Sequence, residues 1–281
     1  MGSYASALQQ YDRVLSVYVR VLPADHPNLI TAIGIKASSL YYLGRLTESL
    51  AFFMVASERG RRVFQADSND HLVLERNMAN VLAALGQHEE AVEVHSRLLE
   101  VKERSPRYGP SHVSTWQMRV NLGAALVNAG SFSEAIPLLR DSLDAYDSMG
   151  LGPEHPILGV IPHYYGRALL GAGHPAEAAP MFQRSIAYRE RKHGPFHFEI
   201  PSDLHDLAKA YGQMGRGFGE RLSLLDRAVT IRELSVGRDK DEDAGQLALV
   251  LQACAECYEE AGSLEEAEER WAKCTAAFEK V

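Results

Sequence analysis

The sequence has few cysteines, no long apolar run and no excess of basic residues. Its three cysteines, Cys254, Cys257 and Cys274, are too few for a disulfide framework, so we expect a reducing, cytoplasmic compartment. No stretch approaches the roughly 18 consecutive apolar residues of a membrane span. The formal net charge of −8 argues against nucleic acid, whose binding requires a concentrated basic surface. We therefore expect neither a membrane nor nucleic acid among the partners.

A catalytic metal motif is also incomplete. In the zinc-hydrolase signature H-E-x-x-H the second histidine lies four residues after the first, on the same helical face. In the stretch LGQHEEAVEVHSRL, residues 85–98, Val92 stands four residues after His88, and His95 stands seven residues after it. That is about 10 Å along a helix axis, too far for two nitrogens that must each lie about 2 Å from one zinc. We predict no catalytic residue, no metal and no cofactor.

What the sequence does contain is a glycine that recurs at nearly constant spacing. The recurring glycines are Gly2, Gly44, Gly86, Gly130, Gly173, Gly215 and Gly262, at intervals of 42, 42, 44, 43, 42 and 47 residues. The copy at Gly215 carries one extra residue. Six of the glycines have Ala or Gly seven residues before them, namely Ala37, Ala79, Gly123, Gly166, Ala208 and Ala255. This pattern predicts a helix, a tight turn in which glycine adopts the left-handed conformation, and a second helix in each repeat.

The repeat register reassigns the candidate metal ligands to packing positions. His95 takes the position that Phe53 and Trp271 hold in other copies, and Cys257 and Cys274 take positions that are mostly Ala or Ser. Buried cysteine packs as a small apolar group. Four histidines recur 18 residues before their glycines and are interpreted as residues at helix starts; they are His26, His112, His155 and His197.

This repeat pattern resembles tetratricopeptide repeats, specifically the repeat of about 42 residues found in kinesin light chains. The segments DHPN (25–28), SIAYRERKHGPFH (185–197) and AVTIRELSVGRD (228–239) are similar to the link between repeats in that family. The resemblance implies an all-α fold, a right-handed α-solenoid of about six and a half repeats spanning residues 1–281 as a single domain. Because the repeat phase begins at Gly2 and the sequence stops within a second helix, we expect a piece of a longer chain.

The resemblance also implies where a partner would bind, because a stripe on the first helices lines the groove of tetratricopeptide proteins. Asparagine can pair with a peptide backbone through both its donor and its acceptor, and Arg and Lys attract carboxylates. The stripe and its neighbours predict a groove for an extended, partly acidic peptide; a solvated helix face is the alternative interpretation. The candidate groove residues are Arg76, Asn77, Asn80, Asn121, His163, Tyr164, Arg167, His205 and Lys209.

The sequence therefore predicts a non-catalytic scaffold or adaptor that binds protein or peptide partners and can form part of a larger complex. The most specific interpretation is a cargo adaptor of a microtubule motor, similar to a kinesin light chain. The alternative is the sensor or scaffolding region of a larger signalling or regulatory protein, and a metal-dependent enzyme is the least favoured interpretation. A neighbouring coiled coil would favour the motor adaptor, whereas a nucleotide-binding domain would favour the sensor.

Overall fold

The computed structural model describes residues 2–150, 155–235 and 240–279, so the end of the AVTIRELSVGRD segment lies outside the described residues. The described residues form helices and no strand, which confirms the all-α prediction. The helices are α1 (Gly2–Val21), α2 (Pro27–Tyr42), α3 (Leu46–Val63), α4 (Asn69–Ala84), α5 (His88–Arg104), α6 (Val113–Asn128), α7 (Phe132–Ser148), α8 (Ile157–Gly171), α9 (Pro175–His193), α10 (Ile200–Gln213), α11 (Phe218–Ser235), α12 (Lys240–Glu260) and α13 (Leu264–Phe278).

The chain divides into two compact units, Met1–Glu134 and Ala135–Val281. In both units a first helix packs on the second helix of its own repeat, as α2 does on α3 and α10 does on α11. The second helix then packs on the first helix of the next repeat, and neighbouring first helices also touch, as in the pairs α2 with α4 and α10 with α12. The packing within each unit is that of a helical-repeat solenoid. Its continuity over both units stays a prediction. Within the described residues, no helix combines the length and apolar character needed to cross a membrane.

The recurring glycine ends the first helix in six repeats, as predicted. Gly44, Gly86, Gly130, Gly173, Gly215 and Gly262 have φ between 69° and 83°, a conformation that glycine adopts without a steric penalty. In each turn the N–H after the glycine donates to the carbonyl four residues before it, for example from Arg45 to Leu40 at 3.0 Å. This is the Schellman arrangement of a helix C-terminus. Helix α11 begins three residues after its glycine and the others begin two after, which places the extra residue of the Gly215 copy in the turn.

The turn predicted at Gly2 is not observed, because α1 begins at Gly2 itself. The other second helices begin two or three residues after their glycines. Gly2 therefore lies in the first turn of α1 and not in a turn between two helices.

The small residue seven positions before the turn glycine lies where two helices approach closely, as predicted. Ala37, Ala79 and Ala255 are fully buried. At Gly166 of α8 a Cβ atom would lie 2.8 Å from the ring of Phe182 on α9, closer than carbon atoms can pack. Phe182 stands nine residues after Gly173 and is itself fully buried. A small residue on the first helix and a large one on the second therefore fill one shared space.

Of the histidines predicted at helix starts, His26 and His112 are N-caps and act through Nδ1. His26 accepts the N–H of Asn28 at 3.2 Å and His112 accepts that of Ser114 at 3.1 Å. His155 and His197 also accept a backbone N–H, at 3.4 and 3.5 Å, but they precede the N-cap residues of their helices, which are Pro156 and Glu199. A side-chain acceptor here satisfies one of the backbone N–H groups that a helix start leaves without a partner.

Candidate functional site

His95 and the cysteines occupy the core, as the register predicts. The side chain of His95 is 3% exposed, and its equivalents Phe53 and Phe182 are also buried. Burial, with the neighbouring Arg76 charge, lowers the pKa of His95 to about 4. Its Nδ1 atom has no hydrogen-bond partner among the described residues. These properties belong to a packing residue. No group of three or more His, Cys, Asp or Glu side chains in the described part of the chain is placed to hold a metal ion.

All three cysteines are buried free thiols on α12 and α13. Burial raises the pKa of each thiol, that of Cys254 to about 12. The Sγ of Cys274 donates to the carbonyl of Ala248 at 3.3 Å. Because the thiolate is the reactive species, these raised pKa values suit inert packing groups.

In the first unit the helices α2 and α4 enclose a groove with two cavities, which we call the α2–α4 groove. The larger cavity, of about 120 Å³, is lined by Thr31, Gly34, Ile35, Ser38, Asn69, Asp70, Val73, Leu74 and Asn77. The smaller, of about 50 Å³, is lined by Ser38, Tyr41, Tyr42, Phe53, Asn77 and Asn80. The predicted residues Asn77 and Asn80 therefore line this groove together with Ser38, which both cavities share.

The side chains of Asn77 and Asn80 have hydrogen-bonding groups that no described residue uses. The Oδ1 of Asn77 accepts a long hydrogen bond of 3.5 Å from Arg76, and within the described residues its amide NH₂ donates to nothing. Asn80 is exposed and makes no hydrogen bond with any described residue. Residues three apart on a helix share a face, so the two amides project side by side along the groove.

The other two candidates of the first unit, Arg76 and Asn121, do not line these cavities. Arg76 lies near His95 and Lys102 on α5, where its charge adds to burial in lowering the pKa of both side chains. Asn121 on α6 accepts a hydrogen bond from Gln117 of its own helix at 3.3 Å. Neither residue lines the α2–α4 groove.

In the second unit His163 is part of a largely buried network. Its side chain is 13% exposed, and Nδ1 lies 2.7 Å from Oδ1 of Asp203, which is fully buried. The other carboxylate oxygen of Asp203 accepts from Arg189, which is 7% exposed. A buried carboxylate needs such partners because desolvation of an unpaired charge is costly. His163 therefore holds α8 to α10.

Arg167 and His205 lie close to the same carboxylate, that of Asp206. The Nε of Arg167 is 4.0 Å from Oδ2, and Nδ1 of His205 is 3.2 Å from Oδ1. Tyr164 packs its ring edge-on against His163, with centroids 4.8 Å apart, and burial raises the pKa of its hydroxyl. Much of the positive charge predicted for this region is thus balanced by a neighbouring acid.

The predicted cation Lys209 lines a cavity between α10 and α12, which we call the α10–α12 cavity. This cavity has a volume of about 360 Å³ and is lined by His205, Ala208, Lys209, Gly212, Gln213, Arg221, Leu225, Ala253, Glu256 and Glu260. Lys209 is exposed and has no ion pair with any described residue. Arg221 of α11, in contrast, is paired with Glu260 of α12.

The sequence did not predict Arg221 as a lining residue. Arg221 lies on the second helix α11, outside the stripe of first-helix positions. Gly212 of α10 makes room for it, because a Cβ atom there would lie 3.3 Å from the guanidinium. In the sequence, the glycine at position 212 was the feature that could have indicated a close approach of a side chain from α11 to α10.

Comparison with known proteins agrees with the repeat architecture. A family model described as "Tetratricopeptide repeat" matches residues 34–104, 70–148 and 114–191, and a second model with the same description matches residues 1–28. Protein KINESIN LIGHT CHAIN-RELATED 3 of Arabidopsis thaliana is 20% identical over 250 residues, which cover 84% of this chain. The chain spans 37% of the length of that relative.

Solved structures share the fold at low sequence identity. The crystal structure of kinesin-light-chain TPR-like repeats from Podosopora anserina has a TM-score of 0.59 at 23% identity, covering 75% of this chain and 96% of that chain. The structure of BtubC (BKLC) from P. vanneervenii has a TM-score of 0.66 at 15% identity, covering 83% of this chain and 90% of that chain. Identities this low indicate a common architecture and carry no functional assignment.

Proposed function

Because this chain belongs to the tetratricopeptide-repeat family and is of the kinesin-light-chain-like type, we propose that it is a non-catalytic scaffold. On this proposal, partners bind as extended peptide segments along the grooves between neighbouring first helices. The observation that carries the proposal is the set of polar side chains in these grooves that keep a hydrogen-bonding or charged group unused by any described residue. They are Asn77 and Asn80 in the α2–α4 groove and Lys209 in the α10–α12 cavity.

The asparagines support a peptide ligand in particular. An extended peptide exposes alternating N–H and C=O groups on its edges, and a carboxamide offers both complementary groups. Such contacts would give affinity through the main chain, as in other modes of extended-peptide recognition. Pockets beside the asparagines would then select the side chains of the ligand.

For the second unit we propose an acidic segment as the ligand. Lys209 supports this assignment because it is the exposed, unpaired cation of the α10–α12 cavity, whereas Asp206 already lies beside His205 and Arg167. Glu256 and Glu260 also line this cavity, so an acidic ligand would contact the Lys209 side and avoid the α12 side.

The more specific role that we propose is a cargo adaptor of a microtubule motor. The plant relative whose name includes kinesin light chain supports this role, together with the DHPN and RKHGPFH links. Co-purification of the chain with a kinesin motor subunit from cell extract is the direct test, and its absence under conditions that retain other partners would remove this role.

The groove proposal is tested by selecting binders from a displayed library of random 12-residue peptides and measuring their affinities. Asn77→Ala with Asn80→Ala should weaken the first-unit binders at least tenfold, and Lys209→Glu should do the same for acidic binders. Gln10→Ala and Lys273→Glu, which change exposed residues outside both grooves, are the matched controls. Affinities that respond equally to the groove variants and the controls would refute the proposed site.

A further inference from the structure

The α2–α4 groove differs in charge from the α10–α12 cavity. Asp70 is the only charged residue among those that line its two cavities, and it lies at the end formed by the first turn of α4. Asp70 is exposed. Arg76, the cation that the sequence placed in this groove, lies toward α5 instead. Asp70 is therefore the charged lining residue that a ligand of this groove meets, and the Arg76 guanidinium approaches the groove only at Asn77, to whose Oδ1 it donates at 3.5 Å.

The larger cavity of the groove has an apolar wall. Ile35 of α2 is 36% exposed, and Val73 and Leu74 of α4 face it across the cavity. Gly34 brings the two helices together, since a Cβ atom there would lie 2.5 Å from Cδ2 of Leu74. The volume is about 120 Å³, comparable with the cavity of roughly 150 Å³ that accommodates benzene in an engineered protein. The size suits one branched aliphatic side chain.

The polar groups of the groove lie between the two cavities. Ser38 and Asn77 line both of them. The hydroxyl of Ser38 donates to the carbonyl of Gly34 at 3.0 Å, which leaves its oxygen free to accept. A peptide backbone that crosses Ser38 and Asn77 passes both cavities, and the side chains on one face of an extended chain follow each other at about 6.6 Å.

We infer that the α2–α4 groove recognises a partner segment in which an aliphatic side chain is flanked by lysine or arginine. The aliphatic group seats between Ile35, Val73 and Leu74, and a flanking cation pairs with Asp70. This inference rests on the proposed function and specifies the ligand of the first unit, which is opposite in charge to the acidic ligand proposed for the second unit.

The experiment compares three capped peptides, GSKSLSKSG, GSESLSESG and GSKSSSKSG, on the full chain. Their dissociation constants are obtained from amide chemical-shift titrations up to 10 mM peptide, a range that captures millimolar binding. The variants are Asp70→Lys and, as a matched control, Glu89→Lys, which changes the equivalent first-turn acid of α5. Asn77→Ala reports whether binding occurs in the groove.

The expected result is that the lysine–leucine peptide binds at least fivefold more tightly than either other peptide. Asp70→Lys should remove its preference over the glutamate peptide, and Glu89→Lys should preserve it. If the glutamate peptide binds as tightly as the lysine–leucine peptide and Asn77→Ala weakens its binding, the groove is supported as the binding site and the charge assignment is overturned. If the serine peptide binds as tightly as the leucine peptide, the apolar pocket is overturned. Binding that is absent or independent of Asn77 overturns both this inference and the proposed first-unit groove.

Discussion

Replacing His95 with phenylalanine should stabilise the first unit and remove part of its sensitivity to acid. The His95 side chain is 3% exposed, and its Nδ1 atom has no partner among the described residues. A buried polar atom without a partner costs about 1–3 kcal/mol. The equivalent positions of other repeats hold Phe53 and Phe182, both buried. At pH 7.5 we expect His95→Phe to raise the free energy of unfolding by about 1 kcal/mol.

The acid sensitivity follows from the lowered pKa. His95 has a pKa of about 4 when folded, against an ordinary value of 6.5. Above pH 6.5 both states are neutral, and between pH 6.5 and 4 the unfolded chain binds a proton that the folded chain does not. Stability is therefore lost as the pH falls through this window. At about 1.4 kcal/mol per unit, this residue accounts for a loss of roughly 2.5 kcal/mol between pH 7.5 and 4.5.

The assay uses the two tryptophans, of which Trp116 lies in the first unit and Trp271 in the second. In a Trp271→Phe background, fluorescence during urea unfolding reports on the first unit. His95→Phe should lack about 2.5 kcal/mol of the loss between pH 7.5 and 4.5. His95→Leu, which copies Leu139 of another repeat, separates this effect from the fit of a larger ring.

His174→Phe, a change at an exposed histidine of the second unit, is the control and should leave the acid sensitivity of the first unit in place. If both His95 variants lose as much stability on acidification as the unchanged chain, His95 is not the source of the acid sensitivity. If both of them destabilise the first unit at pH 7.5, His95 has a hydrogen-bonding role in the core.

Three further predictions concern the second unit. Arg189→Leu leaves the buried Asp203 without its guanidinium partner and should cost about 3–5 kcal/mol in urea unfolding followed by circular dichroism; a loss under 1 kcal/mol would contradict this. Gly166→Ala places a Cβ atom 2.8 Å from the Phe182 ring and should lower the unfolding free energy by about 1–3 kcal/mol; an unchanged value would contradict the close approach. Cys254, whose pKa is raised to about 12, should react with a disulfide reagent at pH 8 only after unfolding, and fast reaction of the folded chain would contradict its burial.

The repeat register made much of the fold predictable. A glycine that recurs about every 42 residues is read directly from the sequence, and each such position from Gly44 to Gly262 forms the predicted turn. The register also predicted the burial of His95, because a position filled by Phe53 and Phe182 elsewhere faces the core. Periodicity predicts such features because packing repeats from one unit to the next.

The candidate site was less predictable, because the register gives the face of a helix and not the partners of a side chain. Arg76 and Asn77 are adjacent on α4, yet Asn77 lines the groove and Arg76 lies toward α5. His163 lies on the predicted stripe of α8, but Asp203 of α10 engages its ring. The partner of a long polar side chain depends on which nearby charge is buried and needs compensation. The possible partners come from different repeats, so the register of one helix does not identify them.

The residues without partners therefore decide what each groove can bind. Arg167, His205 and Asp206 form a compact, balanced group in the second unit, so removing one of them would disturb the scaffold as well as the ligand. Lys209 and Asp70 have no ion pair with any described residue, and both are exposed. Exposed charges without partners change stability little when they are replaced. Reversing Lys209 or Asp70 should thus change the charge preference of one groove while leaving the helical packing beneath it unchanged.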